Sequence, residues 1–299
     1  MKVRSIPVVF FLLLVASSLV GQDIDSVKPR PVYDVAIISG GASGNSSIFG
    51  LNDFRKIYPA SSILKRDLSG FSGYGENYFS EYFGFGVMVG RTSRQMRVLG
   101  ERVKGTLRAG FYYDEASYFS YTLTDGSNTR VDTIKNSQGV SQFYIDSAYY
   151  KTANMYYDAK SLRAEVSALL RFNDEQRWSF YLGVGLSAGM TFNNSVNVSY
   201  SEQEVIETYP AEGLSGTSAT KVEFPVYEND QSAVSSGWVV NAFVPLGIDF
   251  RLAKTGRSLE FMHLFTEVRP GISFMEIPDV RTISGTQVSF HLGLRCTLN

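Results

Sequence analysis

The sequence predicts an all-β fold, namely an eight-stranded antiparallel transmembrane β-barrel with four long external loops. Long segments alternate strictly between apolar residues and small or polar ones, which is the period of a strand and not of a helix. The connections between these segments alternate between long and short, as they do in outer-membrane barrels. After residue 22, no stretch is long and apolar enough to form a membrane helix.

The first 22 residues, MKVRSIPVVFFLLLVASSLVGQ, have the order of a secretory signal peptide. Lys2 and Arg4 form a basic start, the run from Val8 to Val15 is apolar, and small residues follow it. That run is shorter than the roughly 20 residues that a membrane-spanning helix needs. The predicted domains are therefore a signal peptide over 1–22 and a barrel domain over 23–299.

The first predicted strand covers about 33–41 and leads into the glycine-rich stretch GGASGN. An alternative is the cofactor-binding turn of a short-chain dehydrogenase, whose opening the stretch resembles, with Tyr156 and Lys160 at the spacing of that family's catalytic pair. Ser46 stands where the last motif glycine is needed, and no helical periodicity follows it. The glycines are better explained by a bend where side chains crowd inside a narrow barrel.

The next seven strands alternate more clearly, and small or charged residues fill the intervening positions. Taken at every second position, their apolar files are Phe83–Val89, Leu107–Phe111, Leu162–Phe172, Trp178–Phe192, Trp238–Leu252, Met262–Phe274 and Val288–Leu298. The long connections cover 45–79, 114–156, 193–236 and 275–285, and the short ones cover 92–102, 173–177 and 253–258. Both chain ends then fall on the side of the short turns, which is the periplasmic side of such a barrel.

Alternation alone also fits a soluble sandwich or barrel, in which the apolar face points inward. The polar faces are rich in Gly, Ser and Thr, which suit a tight interior, and they carry charges of both signs. Aromatic residues gather near the predicted strand ends, as an interfacial girdle requires. They are Tyr112, Tyr113, Tyr156, Tyr157, Trp178, Phe192, Trp238 and Phe274. We therefore expect the apolar faces to contact lipid.

The segment Ser161–Phe172, a short turn and then WSFYLGVGLSAGMTF resemble the central hairpin of the PorT-like outer-membrane β-barrel family of Bacteroidota-type bacteria. The leader ending in VGQ is similar to those of that group, and the diffuse resemblance covers roughly 33–299. It implies a role in the cell envelope, as a component or accessory of a protein secretion apparatus.

The composition excludes several functional classes. Without Lys2 and Arg4 the formal net charge changes from −1 to −3, which gives no basic surface for nucleic acid. Cys296 is the only cysteine, and His263 and His291 are the only histidines. We therefore expect no intramolecular disulfide, no metal site rich in cysteine or histidine, and no cofactor.

Charged residues and histidines on the polar faces predict a barrel-interior polar cluster, because isolated charges away from water are costly. Its predicted members are Arg163, Glu165, Arg171, Asp249, Arg251, His263, Glu267, Arg269, His291 and Arg295. The simplest interpretation is a structural plug of paired charges, and the alternative is a path for protons or ions. A Ser–His–acid group built from Ser273 or Ser289 with Glu267 is a further alternative, although no signature stretch surrounds these residues.

The predicted function is that of a non-enzymatic protein of the cell outer membrane with a structural or accessory role. Its expected partners are outer-membrane lipid and proteins of the envelope or a secretion apparatus. The alternatives are a narrow-pore or transport protein and a membrane-embedded hydrolase or acyltransferase. The connection 193–236 holds seven carboxylates and one base, a net charge of −6. The tyrosine-rich connection 114–156 alternates in places and is expected to extend the strands as a ribbon beyond the membrane.

Overall fold

The computed structural model describes residues 32–46, 49–76, 78–98, 101–174, 176–211, 218–253, 259, 261–278 and 280–298. Within these ranges the chain forms one antiparallel sheet of 11 strands and one short helix. The predicted signal peptide, 1–22, lies outside the described residues. No helix in the described part of the chain has the length and apolar character needed to cross a membrane.

The predicted strands are all present, but several of their bounds need correction. The strands are β1 (Val32–Ser46), β2 (Ser72–Glu76), β3 (Tyr78–Val98), β4 (Glu101–Lys135), β5 (Ser141–Phe172), β6 (Trp178–Pro210), β7 (Ala219–Val234), β8 (Trp238–Phe243), β9 (Leu246–Arg251), β10 (Met262–Ile277) and β11 (Arg281–Leu298). β3 is longer than the predicted Phe83–Val89 and runs through most of the predicted connection 92–102, and the predicted strand Trp238–Leu252 is divided into β8 and β9. The helix α1 (Leu51–Ile57) lies between β1 and β2.

The strands close into a ring. The order is β1, β3, β4, β5, β6, β8, β10 and β11, and β11 pairs back with β1, with Tyr33 opposite Leu298. β2 pairs with β4 beyond the end of β3, and β7 pairs with β6 beyond the end of β8. β9 lies between β6 and β10, on the other side of the break that separates it from β8. All the neighbouring strands are antiparallel, so closure leaves no free sheet edge within the ring itself.

Connections at one end of the ring, the short-turn end, join β3 to β4, β5 to β6 and β9 to β10, and β1 begins and β11 ends there. At the other end, the predicted long loops need correction. Residues 114–156 are mostly strand, because β4 and β5 continue as a paired hairpin to a turn at 136–140. Much of 193–236 belongs to β6 and β7, and β10 and β11 meet across a tight turn. These segments are rich in Thr, Tyr, Val and Ile, which favour strands even where both faces are polar.

The extended strands form a tall wall on one side of the ring. β4, β5 and β6 contain 35, 32 and 33 residues. At about 3.3 Å per residue each spans roughly 110 Å, far more than the 9–11 residues that cross a bilayer. We call the part of β4–β7 that rises beyond the ring the wall.

Within the ring, apolar side chains point outward and polar side chains point inward. Leu162 and Val166 are exposed, whereas Arg163 and Glu165 are buried on the same strand. On β6, Trp178 is 54% exposed and the neighbouring Ser179 only 3%. The ring is therefore inverted relative to the core of a water-soluble barrel.

The interior face changes chemistry at the level of Asp114 and Ser161. Beyond them, towards the wall, the inward positions become apolar, with Ala116 on β4 and Ala159, Tyr157 and Met155 on β5 all buried. These side chains contact the segment 49–71, which we call the cap. The wall thus has a conventional buried apolar face, while the ring below it has a buried polar one.

The cap contains the helix α1, although the sequence showed no helical periodicity there. Gly50 N donates to Asp53 Oδ2 (3.3 Å) at its first turn, and Phe54 is fully buried against Phe119 of the wall. A helix of 7 residues is too short to show a periodic stripe. The glycine stretch before it remains within β1, and the register shifts between Gly40 and Ala42, where the bend was expected.

Candidate functional site: a buried charge network beneath an apolar cap

Glu267 occupies the centre of the ring interior. Its two carboxylate oxygens accept bonds from Arg108 Nη1 and Nη2, both at 3.0 Å. Arg269 Nε and Tyr181 Oη also donate to this carboxylate. Arg269 Nη1 donates in turn to Glu165 Oε2 (2.9 Å). A bidentate arginine and further donors satisfy the carboxylate fully, which a buried charge requires.

Nearer the short-turn end, Asp249 joins three strands. It accepts from Arg171 Nη1 (3.1 Å) and Arg295 Nε (2.9 Å), and His263 Nδ1 lies 2.5 Å from its Oδ1. Arg295 Nη1 also donates to Asp34 Oδ1 (3.1 Å), and this bond ties β11 to β1 at the ring closure. The seam between the first and last strands is therefore held by an ion pair as well as by backbone pairing.

Towards the cap, Arg163 forms ion pairs with Asp114 and, at 3.7 Å, with Glu81. Tyr112 Oη donates to Glu81 Oε1 (2.7 Å) and lies 3.4 Å from His291 Nδ1. The other ring nitrogen of His291 lies 2.9 Å from Ser289 Oγ. This third group completes a continuous polar column along the ring axis.

Little free space remains around these groups. A cavity of about 10 Å³ is lined by Asp34, Arg108, Arg171, Tyr181 and Arg295 among others. This is about the volume needed for one water molecule and is far too small for a hydrated ion path. Among the described residues, no group of three or more His, Cys, Asp or Glu side chains is arranged to hold a metal ion.

The structure brings most of the predicted polar cluster together. Arg163, Glu165, Arg171, Asp249, His263, Glu267, Arg269, His291 and Arg295 are all buried in the ring. Arg251 is the exception, because it is only half-buried at the short-turn end, where its Nη2 donates to Asp174 O (2.8 Å).

Sequence reasoning missed four members of the network: Asp34, Glu81, Arg108 and Asp114. Arg108 and Asp114 lie on the alternating polar file of β4, so extending that file by two residues would have included Asp114. Glu81 is displaced from its file by a bulge between Glu81 and Phe83, which sequence alternation does not reveal.

Two residues assigned to the aromatic girdle point inward instead, and a third, Tyr156, faces outward on the wall. Tyr112 is buried in the polar column, and Tyr157 is buried in the apolar cluster under the cap, stacked on Phe119 with ring centroids 4.8 Å apart. Both occupy inward-pointing positions of long strands. The alternation of inward and outward residues along the strand, and not the distance to a predicted strand end, therefore decides where their side chains lie. Trp178 and Trp238 do face outward, at 54% and 40% exposure.

The structure contains only part of the geometry that a catalytic Ser–His–acid group requires. Ser289 and His291 are within hydrogen-bond distance, but the second nitrogen of His291 faces Tyr112 and not a carboxylate. Glu267 is engaged by Arg108, Arg269 and Tyr181. Both Ser289 and His291 are buried in the polar interior of the ring.

Hydrogen bonds and an ion pair attach the cap to β7 of the wall. Asp230 on β7 accepts from Ser61 Oγ (2.7 Å) and from Ile63 N (3.3 Å). The Ser61 hydroxyl is the main cause of a lowered pKa of Asp230, and the bonds from Ile63 and Ser62 add to it. Arg66 pairs with Glu228 at 2.5 Å on the same strand. The acidic segment 193–236 thus uses two of its carboxylates to hold the cap.

A third carboxylate of this segment, Glu202, lies further along the wall. It accepts bonds from Tyr149 Oη and from Tyr200 Oη (2.8 Å). These two hydroxyls, Tyr149 first, lower the pKa of Glu202. Donors from the wall itself therefore satisfy the carboxylate of Glu202.

No family model and no curated protein matches the sequence. Among solved structures, the chain is similar to Neisserial surface protein A (NspA), with 12% identity over 89% of this chain and 96% of that one and a TM-score of 0.27. It is also similar to the outer membrane protein OprG from Pseudomonas aeruginosa, with 11% identity over 92% and 100% of the two chains and a TM-score of 0.33. A third is Ail, the attachment invasion locus protein of Yersinia pestis, with 8% identity over 90% and 100% and a TM-score of 0.24. These TM-scores are below 0.5, so the character of this chain follows from its own strand pairing and burial.

Proposed function

We propose that this chain is an eight-stranded β-barrel of the cell outer membrane with a structural or accessory role and no catalytic site. β2 continues β3 along β4, and β7, β8 and β9 follow one another along β6, so the segments fill eight positions around the ring. An even strand number leaves both ends of the barrel domain on the periplasmic side, with the wall and the cap outside.

The reversal of the interior at Asp114 and Ser161 carries this proposal. In water, one buried apolar face would be expected along the whole length of a strand. Instead, the outward face is apolar beside the ring and polar beside the wall, while the inward face changes in the opposite sense at the same level. Two different surroundings along one strand, lipid below and water above, account for this change.

Labelling of single cysteines tests the placement. In a Cys296→Ser background, Gln138→Cys lies in the β4–β5 turn and Gln176→Cys lies in the β5–β6 turn, and both positions are exposed. A membrane-impermeant maleimide added to intact cells should label Gln138→Cys and should reach Gln176→Cys only after the outer membrane is opened. Equal labelling of both in intact cells, or a folded protein that is soluble without detergent, would contradict the placement.

The paired charges of the interior support a closed barrel over a narrow-pore protein. The network fills the interior, and the apolar cap covers its external end. In planar bilayers the purified protein should give no steady single-channel steps. Reproducible conductance that disappears when a residue lining the interior is replaced would favour the pore alternative.

The burial of Ser289 and His291 likewise supports a non-enzymatic role over a hydrolase or acyltransferase. His291→Ala should leave envelope lipids and protein cleavage unchanged in cells. The link to a secretion apparatus rests on the PorT-like resemblance of the β5–β6 hairpin. Cross-linking in native membranes followed by co-purification tests it, and recovery of the barrel without secretion proteins would count against it.

A further inference from the structure

The outward face of the wall is unusual because it carries polar side chains and almost no charge. Every second residue from Ser120 to Asn128 on β4, from Ala148 to Tyr156 on β5 and from Asn197 to Val205 on β6 belongs to it. None of these residues is charged. We call this surface the neutral face. A water-exposed strand surface normally mixes in many Lys, Glu and Asp side chains, so this composition calls for an explanation.

β7 continues the same surface with Tyr227, Asn229 and Gln231, which lie opposite Ser201, Ser199 and Asn197. Among the described residues, charged positions occur at its borders: Asp158 at the level of the ring, Glu76 on β2 opposite Ser120, and Arg130, Asp146 and Glu207 near the β4–β5 turn. The neutral face therefore crosses four neighbouring strands without a charge between these borders.

Amide and hydroxyl groups dominate this surface, and some are already connected. Thr122 Oγ1 donates to Asn154 Oδ1 (2.9 Å) across the β4–β5 pair, and Asn197 Nδ2 donates to Asp158 Oδ2 (3.1 Å) across the β5–β6 pair. Such groups both donate and accept hydrogen bonds, and so do the hydroxyl groups of a sugar.

Three tyrosines stand out from this polar surface. Tyr150, Tyr156 and Tyr227 are 47%, 41% and 72% exposed. Tyr150 and Tyr156 are six residues apart on one strand, or about 20 Å, and Tyr227 lies two strands, or about 10 Å, to the side. Aromatic rings offer an apolar face to the C–H side of a sugar ring, and this spacing covers several rings of a chain.

In the part of the wall nearest the ring, the opposite side of the same sheet is packed against the cap. Leu123, Ala153, Met155 and Val198 alternate with the residues of the neutral face and are buried against the cap. A surface supported in this way is preorganised, so a ligand does not have to order it on binding.

From these observations, we propose that the neutral face binds an uncharged polysaccharide at the cell exterior. An anionic glycan or a nucleic acid would require a basic surface, which this face lacks. A protein partner would require an apolar anchor at the centre, where the face carries Thr152, Asn154 and Ser201. The external location of the ligand rests on the proposed outer-membrane placement, whereas the binding itself does not.

Titration of the full-length protein in detergent with neutral glucans, mannans and galactans tests the proposal, with dextran sulfate as the charged probe. At least one neutral polysaccharide should bind, and dextran sulfate should not. Tyr150→Ala and Tyr227→Ala should each weaken binding about threefold to tenfold. Tyr33→Ala, which removes an exposed tyrosine at the short-turn end, is the matched control and should bind as the wild type does.

Each variant should keep the wild-type circular dichroism spectrum and unfolding midpoint, so that a loss of binding reports on the surface. Failure of every neutral polysaccharide to bind, unchanged affinity in both tyrosine variants, or preferential binding of dextran sulfate would overturn the proposal. Conversion of an oligomer to a monomer by Tyr227→Ala would instead make the face an interface between copies and would also overturn it. Should the protein prove soluble without detergent, the outer-membrane placement fails, but the same titration still decides the binding.

Discussion

At the scale of single residues, the interior of the ring is governed by the cost of an unpaired charge. The carboxylate of Glu267 accepts hydrogen bonds from Arg108, Arg269 and Tyr181 at once. A buried ion pair contributes little net stability, but removal of one partner leaves the others without compensation. Loss of the negative charge at position 267 should therefore lower the stability of the protein more than loss of side-chain volume there.

Glu267→Gln keeps the shape of the side chain and removes its charge, so that Glu165 alone remains to compensate both Arg108 and Arg269. We expect a loss of about 3–5 kcal/mol in the free energy of unfolding, measured by denaturant titration in detergent or vesicles. Glu223→Gln is the control, because this carboxylate on the wall is about half exposed and should change stability by less than about 0.5 kcal/mol. An equal effect of the two substitutions would contradict the role of the network.

Close approach of two strands sets a second strict requirement at Gly189. A Cβ atom added there would lie 2.0 Å from Leu162 O and 2.6 Å from Arg163 Cα, so the backbone would have to move. Gly189→Ala should cost about 1–3 kcal/mol in unfolding free energy. Gly70→Ala, at a position with no atom within 4 Å, should be nearly neutral in the same measurement.

Alternation in the sequence was sufficient to assign the inward faces, and hence most of the charge network, because strand parity alone decides which way a side chain points. It could not reveal which charges pair. Arg108 and Glu267 are 159 positions apart and meet only because the ring closes. A bulge shifts the alternation of inward and outward residues by one position and leaves no signal in the sequence. Glu81 was missed because such a bulge lies between it and Phe83.

At the scale of elements, the cap is the part of the molecule that depends on a few contacts. Its apolar side chains, such as Phe49 and Phe54, pack against the wall, and Asp230 fixes its middle through Ser61 and Ile63. Sequence reasoning described this region as a loop, because short irregular segments carry no periodic pattern. The extension of β4 and β5 as a ribbon through 114–156 was expected from the partial alternation of that segment, but its full length was not, because both faces of the hairpin meet water near the turn.

Asp230→Ala removes the acceptor for Ser61 Oγ and Ile63 N, so the cap segment around these residues should exchange its amide hydrogens about two to five times faster at pH 7. Asp230→Asn should give an intermediate rate. Glu207→Gln, which changes an exposed carboxylate on β6, is the control. Exchange by mass spectrometry should show no difference elsewhere, and a uniform increase over the barrel would indicate global destabilisation instead.

The same contact predicts a pH dependence. The pKa of Asp230 is lowered in the folded protein from its ordinary value of 3.8, so its bonds stabilise the docked cap above that value. This stabilisation is lost as the pH falls through the folded-state pKa. Exchange in the cap, corrected for the intrinsic rate at each pH, should therefore be constant near neutrality and should rise in strong acid. In Asp230→Ala this acid-dependent increase should be much smaller.

At the scale of the whole molecule, stability depends on which solvent contacts the outer surface. Leu186 lies near the middle of the ring portion of β6 and faces outward. Leu186→Arg should lower the free energy of unfolding in vesicles by about 2–4 kcal/mol, since a charge on the lipid side is penalised most at mid-depth. Gln203→Arg, on the same strand beyond the ring, should have almost no effect on folding. Similar small effects at both positions would mean that water surrounds both.

Closure of the ring brings together positions separated by nearly the whole sequence, since Tyr33 pairs with Leu298. Until the last strand is available, β1 and the most recently added strand each keep an edge with unpaired backbone groups. Contacts between residues so far apart in the sequence form slowly. We therefore expect the ring of this molecule to form cooperatively, because β1 gains its second partner only when β11 arrives.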